Sequence, residues 1–285
     1  MLTTKRLNSI EGLSYNNTAT LRMPKGLTYH QILLSGGGDL DVTKNIDEIR
    51  LILNGKPVST WRGDELVAMT RFDKRLDPAT DNSIVIDFER FGMLTRQARV
   101  LTALGTGLGF DAAKNPFPID TAFLEIDLVT TAANETNPVL SAKARQSPAS
   151  ITGMIKKVRR FSYTAGGVGE FEISDLPKGD LVNRIFFETA NAKSLTVERD
   201  NYVLFERTAT ENERFQKDGV RLPQSGFFVF DTTEEGYAGE NLATRYPSPD
   251  GTRLGERVSD LRFKLDMSAG ETFDVIVEYI GPLGN

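Results

Sequence analysis

The chain of 285 residues contains no cysteine and a single histidine, His30. Disulfides, thiolate chemistry and zinc sites built on cysteine are therefore excluded, as is any centre that needs several histidines. Tryptophan occurs once, at Trp61, which leaves little material for the exposed aromatic platforms that a sugar-binding surface favours. No stretch of about eighteen consecutive apolar residues is present, so no helical membrane span is expected. The opening "MLTTKRLNSIEGLSYNN" is polar throughout and lacks the apolar segment of a secretory signal, so a soluble compartment is expected. Charge of one sign is also missing: 34 Lys and Arg stand against 39 Asp and Glu, a net charge of -5. A uniformly basic coat for nucleic acid is excluded, and no specific nucleic-acid partner is expected. What remains is an ordinary globular composition, 39% hydrophobic and 26% charged, long enough to bury roughly three quarters of its unfolded surface without staples.

Short runs with strand character dominate. In the first half they are "TATLRM", "YHQILL", "IDEIRLIL", "PVSTW", "SIVIDF" and "AFLEIDL", several of which alternate apolar and polar residues as half-buried strands do. The second half reads "RFSYT", "EFEIS", "VNRIFFET", "SLTVER", "YVLFER", "GFFVFD", "SDLRFKLD" and "FDVIVEYI". With no helix between successive strands, the pattern favours β-sandwiches with Greek-key or jelly-roll wiring over a parallel sheet. Helices are expected only after each hairpin and at residues 95–104 and 239–245.

"EIRLILNGKPVSTWRGDELVAM" at residues 48–69 finds a counterpart in "SLTVERDNYVLFERTATENERF" at 194–215. Both read strand, tight turn, strand, helix start. Asn54 and Gly55 map onto Asp200 and Asn201 at a separation of 146, and Asp64 maps onto Thr210 as the expected helix cap. Further on, Asp87 maps onto Asp231 at a separation of 144. The expectation is two tandem copies of one sandwich. Residues 130–153, rich in Ala, Ser, Asn and Pro, read as the joining region. The expected division is a first eight-stranded jelly roll at 1–140, a connector at 141–153 and a second jelly roll at 154–285.

Several motifs suggest chemistry without supplying its context. "SGGGDLD" at 35–41 and "LGTGLGFD" at 104–111 are glycine-rich, but neither leads into the helix that a phosphate cradle needs. "RGD" at 62–64 sits where a helix starts, not at a loop tip. His30 lies on a strand, and the alternating pairs Glu125 with Asp127 and Asp87 with Glu89 arise easily in so acidic a chain. No catalytic residue is assigned, and no enzyme is expected. Calcium held by loop carboxylates remains open, with unknown ligands. "IKKVRRFSY" concentrates Lys156, Lys157, Arg159 and Arg160 in an acidic chain, and these are the candidates for facing an anionic membrane.

"LNSI" at 7–10, "LTALGT" at 101–106, "DLP" at 175–177, "SDLRFKLD" at 259–266 and "VIVEYIG" at 275–281 occur in the order of the major capsid proteins of corticovirus-type phages, which the chain resembles over almost its whole length. These are tailless icosahedral phages with an internal membrane. The resemblance implies an all-β double jelly roll with a few short helices and no required cofactor. It further implies pseudo-hexameric homotrimers tiling a shell around a membrane, contacts with neighbouring trimers and with vertex or minor capsid proteins, calcium sensitivity, and a place in the virion after assembly in the host cytoplasm. The alternative from strand content alone is a tandem β-sandwich that binds or cleaves carbohydrate.

Overall fold

The computed structural model describes residues 1–110, 116–248 and 254–283. The glycine-rich stretch at 104–111 is thus described only as far as residue 110, and the excursion beyond residue 232 lacks 249–253. The chain divides into two compact units, Met1–Val158 joined by the last residues from Pro282, and Arg159–Gly281.

In chain order the first unit holds β1 (Thr3–Arg6), β2 (Asn17–Arg22), β3 (Leu27–Gly38), β4 (Ile46–Leu53), β5 (Lys56–Arg62), α1 (Gly63–Phe72), α2 (Pro78–Asp81), β6 (Ser83–Asp87), α3 (Arg96–Val100), β7 (Leu104–Gly105), β8 (Leu108–Phe110), β9 (Pro116–Pro118), β10 (Ala122–Leu128) and β11 (Pro138–Pro148). Strand β12 (Met154–Ala165) opens the second sheet system. It is followed by β13 (Gly169–Ile173), β14 (Leu181–Phe187), β15 (Ala192–Arg199), β16 (Tyr202–Thr208), α4 (Ala209–Asp218), β17 (Phe228–Asp231), β18 (Arg245–Pro247), β19 (Leu254–Arg257), β20 (Leu261–Met267) and β21 (Glu271–Pro282).

Sheet order carries the architecture. The first unit pairs β1-β11-β3-β6, with β7 added to β3, in one sheet and β2-β10-β4-β5 in the other. The second repeats the plan as β12-β21-β14-β17 and β13-β20-β15-β16. In each half the first strand pairs with the last, and the eighth long strand inserts between the first and third, which is the wiring of a jelly roll. The fold is therefore two tandem jelly rolls, with short hairpins β8–β9 and β18–β19 in the same late connection of each half.

Alternation explains the layers. In β10, Ala122, Leu124, Ile126 and Leu128 are buried, while Phe123, Glu125 and Asp127 point outward. In its counterpart β20, Leu261, Phe263, Leu265 and Met267 are buried and Arg262, Lys264 and Asp266 alternate with them. The second core is rich in aromatics: Phe230 packs edge to face on Phe205 at 5.0 Å and on Phe263 at 6.2 Å, geometries that suit the ring quadrupole.

Three expectations need correcting. The connector at 141–153 is mostly strand: β11 pairs with β3 from Pro138 opposite Gly38 to Pro148 opposite Leu27, with one register shift between Arg145 and Gln146, and with β1 from Lys143 opposite Arg6. Its inward row is Leu140, Ala142, Ala144 and Gln146, with Leu140 its one large apolar side chain, so its composition reads as a linker. The helix expected at 95–104 is confined to Arg96–Val100 and gives way to β7. The one expected at 239–245 is a single 3₁₀ turn, Ala238–Glu240, ahead of β18.

Candidate assembly surface

The hairpin and helix that repeat in sequence repeat in geometry. Asn54 and Gly55 have φ of 50° and 73°, and Asp200 and Asn201 have φ of 51° and 65°, the two positive values that a tight hairpin needs. Each hairpin carries a register shift at the same place, between Leu51 and Ile52 in one and between Val197 and Glu198 in the other. The helix caps also agree in position, although not where expected. The residue leaving extended backbone is Arg62 in one half and Thr208 in the other, two positions before Asp64 and Thr210. Glu65 accepts the Arg62 N–H at 2.8 Å, and Glu211 accepts the Thr208 N–H at 2.9 Å while Thr208 Oγ1 accepts the Glu211 N–H at 3.3 Å. The glutamate three residues on reaches back to the cap in both halves.

Beyond each helix an arginine bonds the aspartate that ends the next strand. Arg221 Nε donates to Asp231 Oδ2 at 2.7 Å with both side chains essentially unexposed, and Asp231 Oδ1 also accepts from the Thr233 N–H and hydroxyl at 2.8 Å. Arg75 Nη2 donates to Asp87 in the first half. Arg75 and Arg221 also donate their backbone N–H groups to Thr70 and Gln216 respectively, both at 3.2 Å. These guanidinium locks hold the helix to the sandwich. Sequence reading placed the two aspartates in register and missed the arginines, although Arg75 and Arg221 are also 146 residues apart.

The halves diverge in what they expose. Helix α1 buries eight of its ten residues, among them Leu66, Val67, Met69 and Phe72. Helix α4 buries Asn212 and Gln216 alone, whose amides both donate to the Val229 carbonyl at 2.8 Å. Strand β16, at the edge of its sheet, leaves Tyr202, Val203 and Leu204 exposed by 75%, 54% and 45%, and α4 adds Phe215 at 53%. In β5, the equivalent edge, Lys56 and Pro57 are exposed as well, and Ser59 and Trp61 are buried where β16 has half-buried Phe205 and Arg207. Ser59 Oγ there donates to the Lys156 carbonyl and accepts the Val158 N–H, each at 3.2 Å.

The basic candidates lie on β12. Strand alternation separates Lys156 and Arg160 from Lys157 and Arg159. Lys157 is only 2% exposed, Lys156 and Arg160 are half-buried and Arg159 is exposed, so the four do not form one continuous surface. Arg159 sits 6.0 Å from the centre of the Tyr279 ring.

The motifs without chemical context are accounted for structurally. His30 is buried, its Nδ1 2.5 Å from Glu89 Oε1 and its Nε2 2.9 Å from Ser147 Oγ; Arg99 Nε donates to the second Glu89 oxygen at 2.8 Å. Burial alone would raise the Glu89 carboxyl, but the hydrogen bonds from His30 and Arg99, reinforced by the Arg99 charge, outweigh it and hold the group below its ordinary value. Glu125 and Asp127 both accept from Arg50, at 3.0 Å and 2.6 Å, an outer-face ion cluster. Asp64 is bonded to Arg62 at 2.9 Å within the helix entry. Gly36 and Gly105 occupy strands β3 and β7, where an added Cβ would meet the Leu40 carbonyl at 2.9 Å and the Ser150 carbonyl at 2.6 Å; they serve close packing, and Asp111 lies outside the described residues.

Two jelly rolls in tandem within one chain make this a double jelly-roll protein. Family comparison makes this specific: residues 4–147 match the viral coat protein P2 N-terminal domain and residues 155–283 match the viral coat protein P2 C-terminal domain, and the chain belongs to that family. It is similar to the major capsid protein P2 of Pseudoalteromonas phage PM2, 25% identical over 285 residues that cover 96% of this chain and 95% of the relative. The crystal structure of that phage protein superimposes with a TM-score of 0.84 at 23% identity, covering 99% and 98% of the two chains. The fold is shared more distantly with a chain from the atomic structure of Sulfolobus Turreted Icosahedral Virus, with a TM-score of 0.65 at 9% identity covering 99% and 91%. A chain of the PBCV-1 virus capsid gives 0.62 at 9% identity, covering 98% and 93%. The protein is a structural coat protein of the virion, not an enzyme, and the carbohydrate alternative finds no support.

Proposed function

We propose that the protein is the major capsid subunit of an icosahedral, membrane-containing phage and builds its shell from pseudo-hexameric homotrimers. The observation that carries this reading is the duplicated jelly roll. Three chains offer six similar sandwiches, enough to fill a hexagonal cell while each joint within a chain is covalent. Contacts with neighbouring trimers and with vertex or minor capsid proteins complete the lattice, which assembles in the host cytoplasm. Exposed Arg159 faces the anionic lipid in this reading; Lys157 is set aside because its side chain is buried, and Lys156 and Arg160 because they lie on the other face of β12. No cofactor is required. Calcium, with ligands unassigned, belongs to the same proposal, and its test is the dissociation of assembled shells by a chelator. The principal test is light scattering of the purified protein, with three chains per particle expected. A single-chain mass at micromolar concentration overturns the trimer.

A further inference from the structure

We propose that Gly179, Arg245 and Arg257 form a binding site for a phosphate oxyanion at one end of the second jelly roll. The ligand is a phosphate group, carried by a lipid headgroup or free in solution.

The site begins with two like charges that face each other. Arg245 on β18 lies directly across from Arg257 on β19, a placement that destabilises a strand pair unless an opposite charge comes between. Carboxylates meet that need elsewhere in this unit: Arg184, Arg207, Arg214, Arg221 and Arg262 each hold an aspartate or a glutamate. Among the described residues, Arg245 and Arg257 hold none. Arg245 is bonded to carbonyl oxygens alone, through Nε to Gly179 at 2.9 Å and through Nη1 to Gly255 at 3.0 Å. The Arg257 guanidinium has no hydrogen-bond or ion-pair partner among the described residues.

The nitrogens left over on both side chains converge. Gly179 has a φ of 140° and no side chain, and a Cβ there would lie 3.5 Å from Arg245 Nη2 and 3.6 Å and 3.8 Å from Arg257 Nε and Nη2. Three donor nitrogens therefore line the open space over Gly179, and the Nε–Nη2 edge of Arg257 is a fork that takes two oxygens of one oxyanion. The floor of this cradle is fixed beforehand. Thr244, only 1% exposed, accepts the Gly179 N–H at 2.7 Å and donates its hydroxyl to the Asp180 carbonyl at 2.6 Å. The turn is thus tied to β18 on both sides of Gly179, and donors set in advance lose little freedom on binding.

The surrounding charge selects an anion. Lys178 Nζ donates to the Ser259 carbonyl at 2.8 Å and Arg199 Nη1 to the Ala243 carbonyl at 3.3 Å, so two more cations are held on carbonyls close by. The neighbouring acids are engaged elsewhere. Asp180 turns its carboxylate against Gly281, Asp200 accepts from the Tyr246 hydroxyl at 2.9 Å and from Ser259 Oγ at 3.2 Å, and Glu256 projects to the opposite face of β19 from Arg257. Donors from two guanidiniums around one gap suit an ion with several oxygens on a single centre, as phosphate has.

The test uses the full chain. Titration calorimetry with inorganic phosphate is expected to show saturable binding, weakened about tenfold in Arg257→Gln by the loss of one charge-assisted fork. Arg214→Gln, which removes an exposed guanidinium of α4, is expected to bind as the wild type does. Because Arg257 is bonded to no described residue, its replacement is expected to leave the melting temperature unchanged. Arg257→Lys keeps the charge without the fork and is expected to recover only part of the affinity. Flotation with vesicles of phosphatidylglycerol and phosphatidylcholine separates the two sources. Weaker vesicle binding by Arg257→Gln than by the wild type, competed by inorganic phosphate, assigns the lipid headgroup; equal vesicle binding with the loss of phosphate affinity retained assigns the free ion. Absence of saturable phosphate binding by the wild type, an Arg257→Gln that binds phosphate equally well, or an Arg257→Lys as tight as the wild type overturns the site.

Discussion

Asp231 receives three hydrogen bonds in a place that water does not reach, and its partner Arg221 is equally enclosed. Removing one member of such a pair strands the other charge. Asp231→Ala is therefore expected to destabilise the second unit by about 3–5 kcal/mol, whereas the apolar double replacement Arg221→Met with Asp231→Leu recovers much of the loss. Urea unfolding followed through the second unit's transition decides the matter. A smaller effect titrates at Glu89. Its folded value lies below the unfolded one, so the stabilisation is complete above the unfolded value of about 4.3 and disappears as pH falls through the folded value. The melting temperature of the wild type is expected to drop on acidification below about pH 5, and Glu89→Gln is expected to start lower at neutral pH and fall less steeply. Neither partnership is legible from the residues alone. Arg221 and Asp231, or His30, Glu89 and Ser147, become neighbours only when separate strands and the chain after a helix are brought together, and polar residues in an acidic chain offer too many equivalent pairings.

The hairpins lie at the opposite extreme of legibility. Asn54-Gly55 and Asp200-Asn201 specify their turns locally, because few residues tolerate positive φ and these do. An added Cβ at Gly55 meets nothing within 4 Å, so Gly55→Val tests backbone strain alone. A loss of about 1–2 kcal/mol is expected in thermal or denaturant unfolding. Thr208→Ala removes the side-chain half of a cap and is expected to cost about 1 kcal/mol, visible as earlier fraying of α4 in hydrogen exchange. Other elements were harder to read for a definable reason. Strand β11 carries its inward row on Ala142 and Ala144, and two methyl groups give a weak hydrophobic alternation. Helix α3 shrank to five residues because none of its side chains is buried and nothing rewards extension. The helix starts were misplaced by two residues because β5 and β16 run straight into α1 and α4, so the cap is the last residue of a strand and not the first apparent capping type after it.

Across the whole molecule, the duplication was visible in sequence at the hairpins and at Asp87 and Asp231, and the structure extends it to sheet order, register shifts and guanidinium locks. The joining region was misjudged because the first sandwich needs β11 to complete its sheet. Repetition says nothing by itself about which copy of a surface stays open; that follows from exposed Phe215 on α4 set against its buried equivalent Met69 on α1. At this scale Arg159→Gln is expected to reduce binding to phosphatidylserine-containing vesicles, the lost cation weakening the interaction by about 1 kcal/mol. Unchanged partitioning in a flotation assay removes the lipid-facing assignment.

The displaced residue in the β15–β16 ladder, between Val197 and Glu198, bends the strand that stays bare. A straight bare strand invites any passing strand to stack without limit, while a twisted one accepts a partner of matching curvature and then stops. The same kink stands in the β4–β5 ladder between Leu51 and Ile52, so each copy of the sandwich blunts its own outer edge.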